Sequence, residues 1–428
     1  MKQSLILTLL ALLFIANSAS AQLYFPPNTG TWDTLSPSTL NWCPDKIQNL
    51  YDYLDSTNTK AFIVLKDGKI VLEKYFDTFT EDSLHVWNSA SKTLVGFMTG
   101  IAQQEGFLNI TDTTSTYLGT GWTSLTPAQE EMITIRHQLS MTTGMDDITN
   151  GDCTDPGCLT YLADAGTRWS YHNAPYTLMN TVISTATGQN FNAYIANKLG
   201  NTTAGISGLF VTFGYNKVFV SKPKSFARFG LLLLAEGNWN GTPILNDPAY
   251  FSAMTNSSQT INPSYGYLTW LNGKSSFMVP GLQFSFSGSL MPNAPNDLYA
   301  ALGKNGQIIN VVPSQNLVLI RMGDGDGVSL VGTQYNDSIW VRMNDLECTN
   351  SIVENELGIT ISPNPASTFF DLKGLQEEDE VEIINFLGER VAFEQIGSAI
   401  FMEESGIYFV RVKRDNRISN QKIIIEKQ

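Results

Sequence analysis

The sequence predicts an α+β fold: an antiparallel sheet built from both ends of one long domain, a helical domain inserted between them, and a small C-terminal β-sandwich. Three observations lead there. A hairpin signature stands near residue 67, and comparable apolar, β-branched runs return only after residue 265. The stretch between them carries mostly helical periodicity. After Cys348 the pattern changes again, to short alternating strands separated by polar turns. At 428 residues the chain exceeds one ordinary domain, and 43% hydrophobic against 15% charged residues supports packed cores rather than disorder.

In chain order, Lys2, the apolar run Leu5 to Ala16 and the small residues Ala19-Ser20-Ala21 form a secretory signal, with cleavage expected after Ala21. That run is too short to span a bilayer, and no other segment reaches transmembrane length. A main domain is expected over residues 22–348. Ala61 to Leu65 and Lys69 to Tyr75 flank Asp67-Gly68, a tight primed turn. WNSASKTLVGFMTGIAQQEGF follows, a largely buried helix beginning near Ser89. Helices are expected over Ile133 to Met141, Tyr176 to Thr187 and Ser225 to Glu236, within a mostly helical stretch from about 110 to 260. Strands return at Tyr265 to Leu271, Ser276 to Val279, Leu298 to Leu302, Ile308 to Val312 and Leu317 to Met322, and Asp337 to Leu346 closes the domain as a helix. Residues 349–428 form the β-sandwich.

A formal charge of -14 excludes a nucleic-acid partner, since no basic surplus exists to displace phosphate counterions, and equally disfavours anionic lipid. Four cysteines suit an oxidising compartment. Cys153 and Cys158 flank the Pro156-Gly157 turn, which predicts a local disulfide, and leaves Cys43 to join Cys348 at the far end of the main domain. The cysteines and the histidines His85, His137 and His172 are too scattered for metal-ligand spacing, so neither a metal nor a cofactor is expected. Gly323-Asp324-Gly325-Asp326-Gly327 lacks the spacing and terminal glutamate of a calcium loop and reads as a turn.

The chemistry concentrates at Ser89-Ala90-Ser91-Lys92. On a helix, residues i and i+3 share a face, so the serine hydroxyl and lysine amine can touch. A helix N-terminus offers free N–H groups to an oxyanion, and burial in an apolar helix lowers a lysine's pKa until the neutral amine can accept a proton. The spacing alone chooses nothing, because Ser221/Lys224 and Ser419/Lys422 repeat it; only the Ser89 copy opens a buried helix. Tyr171-His172-Asn173 is the one Tyr-x-Asn among 16 tyrosines. A tyrosine beside a lysine can relay a proton to a leaving group, and an asparagine can grip a substrate amide. Three histidines leave little room for a Ser-His-Asp triad.

With these motifs, and with ITIRHQLSMTTGM at 133–145, SFARFGLLLLAEGNWNG at 225–241 and YGYLTW at 265–270, the chain resembles the serine β-lactamase and penicillin-binding protein superfamily over roughly residues 40–347. The resemblance is to its class C-like esterase and amidase branch, near 6-aminohexanoate-dimer hydrolase. It implies a β-lactamase-like sheet, a nucleophile at Ser89, a Lys92 partner, a proton-transferring Tyr171, and cleavage of a small ester or amide. The family's third motif, usually Lys-Thr-Gly or His-x-Gly on an edge strand, is altered in LYAALGKNGQIINVV at 298–312. Either Lys304-Asn305-Gly306 fills the role or Ala301-Leu302-Gly303 occupies the strand, so Gly303, Lys304 and Gly306, with Asn173, are the expected substrate or oxyanion contacts. This departure weighs against DD-peptidase or β-lactamase action; a catalytically inactive surface module is the remaining alternative. The tail resembles a type IX secretion sorting domain through SPNPAS at 362–367, NFLGERV at 385–391 and GIYFVRV at 406–412. That resemblance implies the type IX machinery as partner and a secreted or surface location.

Overall fold

The computed structural model describes residues 23–149, 151–325, 331–348, 357–415 and 417–427. The signal segment 1–21, and Asp326 and Gly327 of the glycine-aspartate turn, lie outside the described residues. The chain divides into two compact units that meet between Glu347 and Cys348.

In the first unit, helix α1 (Pro44–Ser56) leads into strands β1 (Thr59–Lys66) and β2 (Lys69–Tyr75). Asp67 at φ 51° and Gly68 at φ 82° make the primed turn that the sequence announces. Helix α2 (Ser91–Gln104) follows, then α3 (Asn173–Thr187), the hairpin β3 (Leu209–Phe213) and β4 (Asn216–Ser221), and α4 (Pro223–Leu234). Strands β5 (Trp270–Leu271), β6 (Tyr299–Gly303), β7 (Gln307–Val312) and β8 (Leu317–Gly323) precede helix α5 (Thr333–Asn344). The sheet runs in the order β2-β1-β8-β7-β6-β5, its strands antiparallel. Strands from both chain ends therefore share one sheet. β7 and β8 are buried along their whole length, the expected outcome for continuous apolar runs covered on both faces. α4 packs on β1, β7 and β8, while α1 pairs with α5.

Three expectations need correction. The run Tyr265 to Leu271 is not a continuous strand: Leu268 takes φ 51°, and only Trp270–Leu271 joins the sheet. The stretch read as mostly helical contains the β3–β4 hairpin, whose alternating Val211, Val218 and Val220 around Gly214 carried a strand signal. Helix α5 begins at Thr333, four residues before the expected Asp337.

No cysteine is free: Cys153 bonds to Cys158, and Cys43 and Cys348 are each disulfide-bonded. Among the described residues no helix is long and apolar enough to cross a membrane.

The second unit holds two sheets. One orders β9 (Thr360–Ser362), β10 (Phe369–Lys373), β13 (Ala399–Phe401) and β12 (Glu394–Ile396); the other orders β11 (Glu380–Asn385), β14 (Gly406–Arg414) and β15 (Arg417–Ile425). Phe370, Leu372 and Ile400 from the first and Ile383, Val410, Val412 and Ile423 from the second meet in one buried cluster, which makes the unit a sandwich.

Candidate active site

Ser89 sits in a 3-10 turn, Asn88–Ala90, directly ahead of α2. A 3-10 turn has three residues per turn and eclipses i with i+3, so it aligns Ser89 with Lys92 more directly than an α-turn would. Lys92 Nζ lies 2.9 Å from Ser89 Oγ. The turn is fixed on two sides. Trp87 is fully buried among Phe219, Phe226 and Phe229, and its indole N–H donates to Ser221 Oγ at 2.8 Å. Ser91 Oγ accepts the Phe219 N–H at 2.8 Å. Asn88, in the left-handed region at φ 48°, donates its side-chain N–H to Lys304 O at 2.9 Å.

Lys92 is 1% exposed. Burial drives its pKa well below the ordinary lysine value, and the Asp152 carboxylate pulls weakly the other way. Its Nζ lies 4.6 Å from the centroid of the Tyr171 ring and 4.0 Å from that of Tyr176, and contacts Asn173 Oδ1 at 2.7 Å. Asn173 is the first residue of α3, so the helix start delivers its side chain to the lysine. Its Nδ2 donates to Asp152 Oδ1 at 2.6 Å.

Tyr171 stacks on Trp270 of β5 and meets Tyr265 edge-on, which holds the ring beside the serine and lysine. Its buried hydroxyl closes no hydrogen bond, although the neighbouring Ser89 hydroxyl favours ionisation. Burial outweighs that and raises the phenol pKa. His172 points elsewhere: its buried ring has both nitrogens unpartnered, and burial lowers its pKa to about 4. It stays neutral at physiological pH and makes no ring hydrogen bond to Ser89, Lys92 or Tyr171.

Ser89, Tyr171, Tyr176, Asn173, Asp152 and Lys304 line one cleft of about 470 Å³, closed on its apolar side by Phe213, Val218 and Pro280. Gly303 is not in the lining but sets its shape. A Cβ there would lie 2.4 Å from Trp87 O and 2.9 Å from Ala90 N, so the end of β6 reaches the serine turn only as glycine. Gly303→Ala should therefore cost about 2 kcal/mol of stability in urea denaturation, and unchanged stability would show that the two segments part freely. Gly306, grouped with Gly303 and Lys304 on sequence, does not face the cleft. Its carbonyl and that of Asn305 accept the buried Arg321 guanidinium, which also bonds Thr59 Oγ1 and Thr57 O. Arg321 thus ties the turn bearing Lys304 to β1 from behind, and Gly306 serves that anchor.

The competing Ser-x-x-Lys copies separate physically. Ser221 is fully buried under Trp87, while Lys224 pairs with Glu73 and Glu81. Ser419 and Lys422 lie in strand β15, where i and i+3 project to opposite faces. Asp152, Tyr176 and Trp270 belong to the site but escaped the sequence reading. Asp152 carried no motif, only its place before Cys153; Trp270 lay within YGYLTW without a chemical signal of its own.

Comparison with known proteins bears on the fold and the domain order. Residues 52–202 match the family model described as Beta-lactamase, and residues 360–426 match the secretion system C-terminal sorting domain. A solved Bacillus anthracis protein named as a 6-aminohexanoate-dimer hydrolase is 16% identical, with a TM-score of 0.58 over 75% of this chain and 90% of that one. A family VIII carboxylesterase is 13% identical, with a TM-score of 0.54 over 72% of this chain and 97% of the other. A penicillin-binding protein homologue from Caulobacter crescentus is 13% identical, with a TM-score of 0.53 over 71% and 96%. At these identities the structural matches establish the fold. No curated protein matches the chain in sequence. The chain carries a β-lactamase-family domain followed by a type IX sorting domain, which marks it for export to the cell surface or beyond.

Proposed function

We propose that this exported protein is a serine hydrolase that cleaves an ester or amide through an acyl-enzyme on Ser89. The observation that carries the reading is the contact of Ser89 Oγ with a fully buried Lys92 whose amine is driven toward its neutral form. Neutral Lys92 accepts the Ser89 proton as the hydroxyl oxygen attacks the substrate carbonyl. The Ser89 N–H and a backbone N–H at the end of β6 would hold the oxyanion. Tyr171, its pKa raised so that it keeps its proton, passes one to the leaving group. Water activated by the same pair then releases the acid and restores Ser89.

A second reading, DD-peptidase or β-lactamase action, draws on one observation: Lys304 lines the cleft with Ser89 and could meet a substrate carboxylate. A hydrolysis panel decides between them: a short-chain nitrophenyl ester, a chromogenic cephalosporin, a D-Ala-D-Ala peptide and a linear ω-amino-acid amide. Turnover of the ester or linear amide, with the cephalosporin and peptide untouched, is expected; the reverse pattern would replace the first reading by the second. No turnover of any, with no fluorophosphonate labelling, would identify an inactive surface module.

Tyr171→Phe keeps the stacking on Trp270 and removes only the hydroxyl. It should lower kcat by about 10²-fold or more while leaving KM nearly unchanged. Near-normal kcat would remove Tyr171 from the proton path.

A further inference from the structure

Asn173, expected as a substrate contact, lines the cleft and is also held from within the protein. Both ends of its side-chain amide are engaged inside the protein: Oδ1 with Lys92 Nζ at 2.7 Å and Nδ2 with Asp152 Oδ1 at 2.6 Å. An ionised carboxylate has acceptors only, so it fixes which end of an amide faces it. With Nδ2 on Asp152, the oxygen of Asn173 must face Lys92. A neutral amine has two N–H groups and one lone pair. An acceptor on the Asn173 side takes an N–H, and that leaves the lone pair for the Ser89 hydroxyl. If the amide flipped, its NH₂ would compete for the same lone pair and Ser89 would lose its base.

We infer that Asp152 is a positioning residue: by holding Asn173 in one orientation it aims the Lys92 lone pair at Ser89. This rests on the reading of Ser89 and Lys92 as nucleophile and base. The loop is built for the task. The Cys153–Cys158 disulfide follows Asp152 directly, the Tyr215 hydroxyl of the β3–β4 hairpin donates to Asp155 Oδ2 at 2.8 Å, and Gly151 O accepts the Ala174 N–H of α3 at 3.3 Å. Asp152 is thus tied to the helix that carries Asn173, although its own side chain is exposed. The pair uses one of the two Nδ2 hydrogens and leaves the second for a substrate amide in the cleft that Asn173 lines.

The test is the rate of fluorophosphonate labelling against pH, which needs no knowledge of the substrate. The groups around Lys92 are Ser89, Asn173, the rings of Tyr171 and Tyr176, and the Asp152 charge; Asp147 and Lys304 share the cleft. Labelling rises with pH as Lys92 loses its proton. Asp152→Asn removes a charge that favours protonated Lys92, so the acid limb should move to lower pH, and the plateau should fall about tenfold as Asn173 flips. Asp152→Glu should restore part of the plateau. Asp152→Asn combined with Asn173→Ala should be no slower than Asn173→Ala alone, because both act through one amide. An unmoved plateau, whether or not the limb moves, would overturn the assignment and leave Asp152 a loop residue. Ser89→Ala separates this from the reading beneath it. If wild type fails to label, or labels equally without Ser89, the nucleophile is wrong; if labelling needs Ser89 but ignores Asp152, only this inference falls.

Discussion

Ser89→Ala is expected to reduce hydrolysis of a short-chain nitrophenyl ester by about 10⁴-fold or more and to abolish fluorophosphonate labelling of the exported protein. The reason is local. The cleft offers the substrate other polar groups, Asn88, Asn216 and Lys304, but the hydroxyl in contact with the buried lysine is that of Ser89. Removing one oxygen leaves the half-buried turn and its Trp87 anchor in place, so folding should be unaffected and any loss is chemical. Labelling that persists in the variant would move the nucleophile elsewhere, and hydrolysis within tenfold of wild type would end the acyl-enzyme mechanism.

Replacing Lys92 is expected to be nearly as severe, and it separates activity from stability. Lys92→Met conserves volume and removes the base, which should lower kcat/KM by about 10³-fold. Lys92→Arg should not restore it, because a guanidinium stays protonated and cannot accept the Ser89 proton. Stability should move the other way. Burial disfavours the charged amine, so the folded-state pKa lies below the unfolded value of 10.5. The unfolded chain then binds more protons, and stability rises with pH between the depressed folded value and about 10.5. Below that window the penalty is present in full. Lys92→Met removes both the penalty and this slope, and its Tm at neutral pH should equal or exceed that of wild type. A variant Tm well below wild type across that range would mean that Lys92 is held charged and satisfied, contrary to a role as base. The wild-type rate should climb with pH through the same titration.

How far these expectations were legible in the sequence depends on the range of the physics involved. The hairpin of β1 and β2, the buried helix α2 and the runs that become β6, β7 and β8 follow from local periodicity and turn chemistry, and they appear where expected. The failures occur where tertiary contact overrides a local run. Leu268 turns left-handed because its N–H bonds Leu139 O and its carbonyl accepts the Thr93 hydroxyl, contacts that no window of residues 265–271 contains. Gly306 shared a turn with Lys304 in sequence, yet Arg321 claims it from the opposite side.

At the site, the sequence alone determined the pairing of Ser89 with Lys92, because one helical turn fixes the relation of i and i+3. It also determined that a small β-sandwich follows, since such a sandwich writes its alternation directly into its strands; that this sandwich is a sorting domain came from the resemblance of its motifs. Tertiary structure decided the rest. It gave the physical state of the two copies the sequence had set aside, burying Ser221 under Trp87 and placing Ser419 and Lys422 in a strand. It brought Tyr171 to the pair by stacking it on Trp270, 99 residues away in the chain. And it set the Asn173 amide oxygen against Lys92 and its nitrogen against Asp152, 21 residues earlier. Contacts within a turn are set by backbone geometry, which is encoded residue by residue. Contacts between a loop, a helix start and a sheet edge exist only once the core has closed around α2.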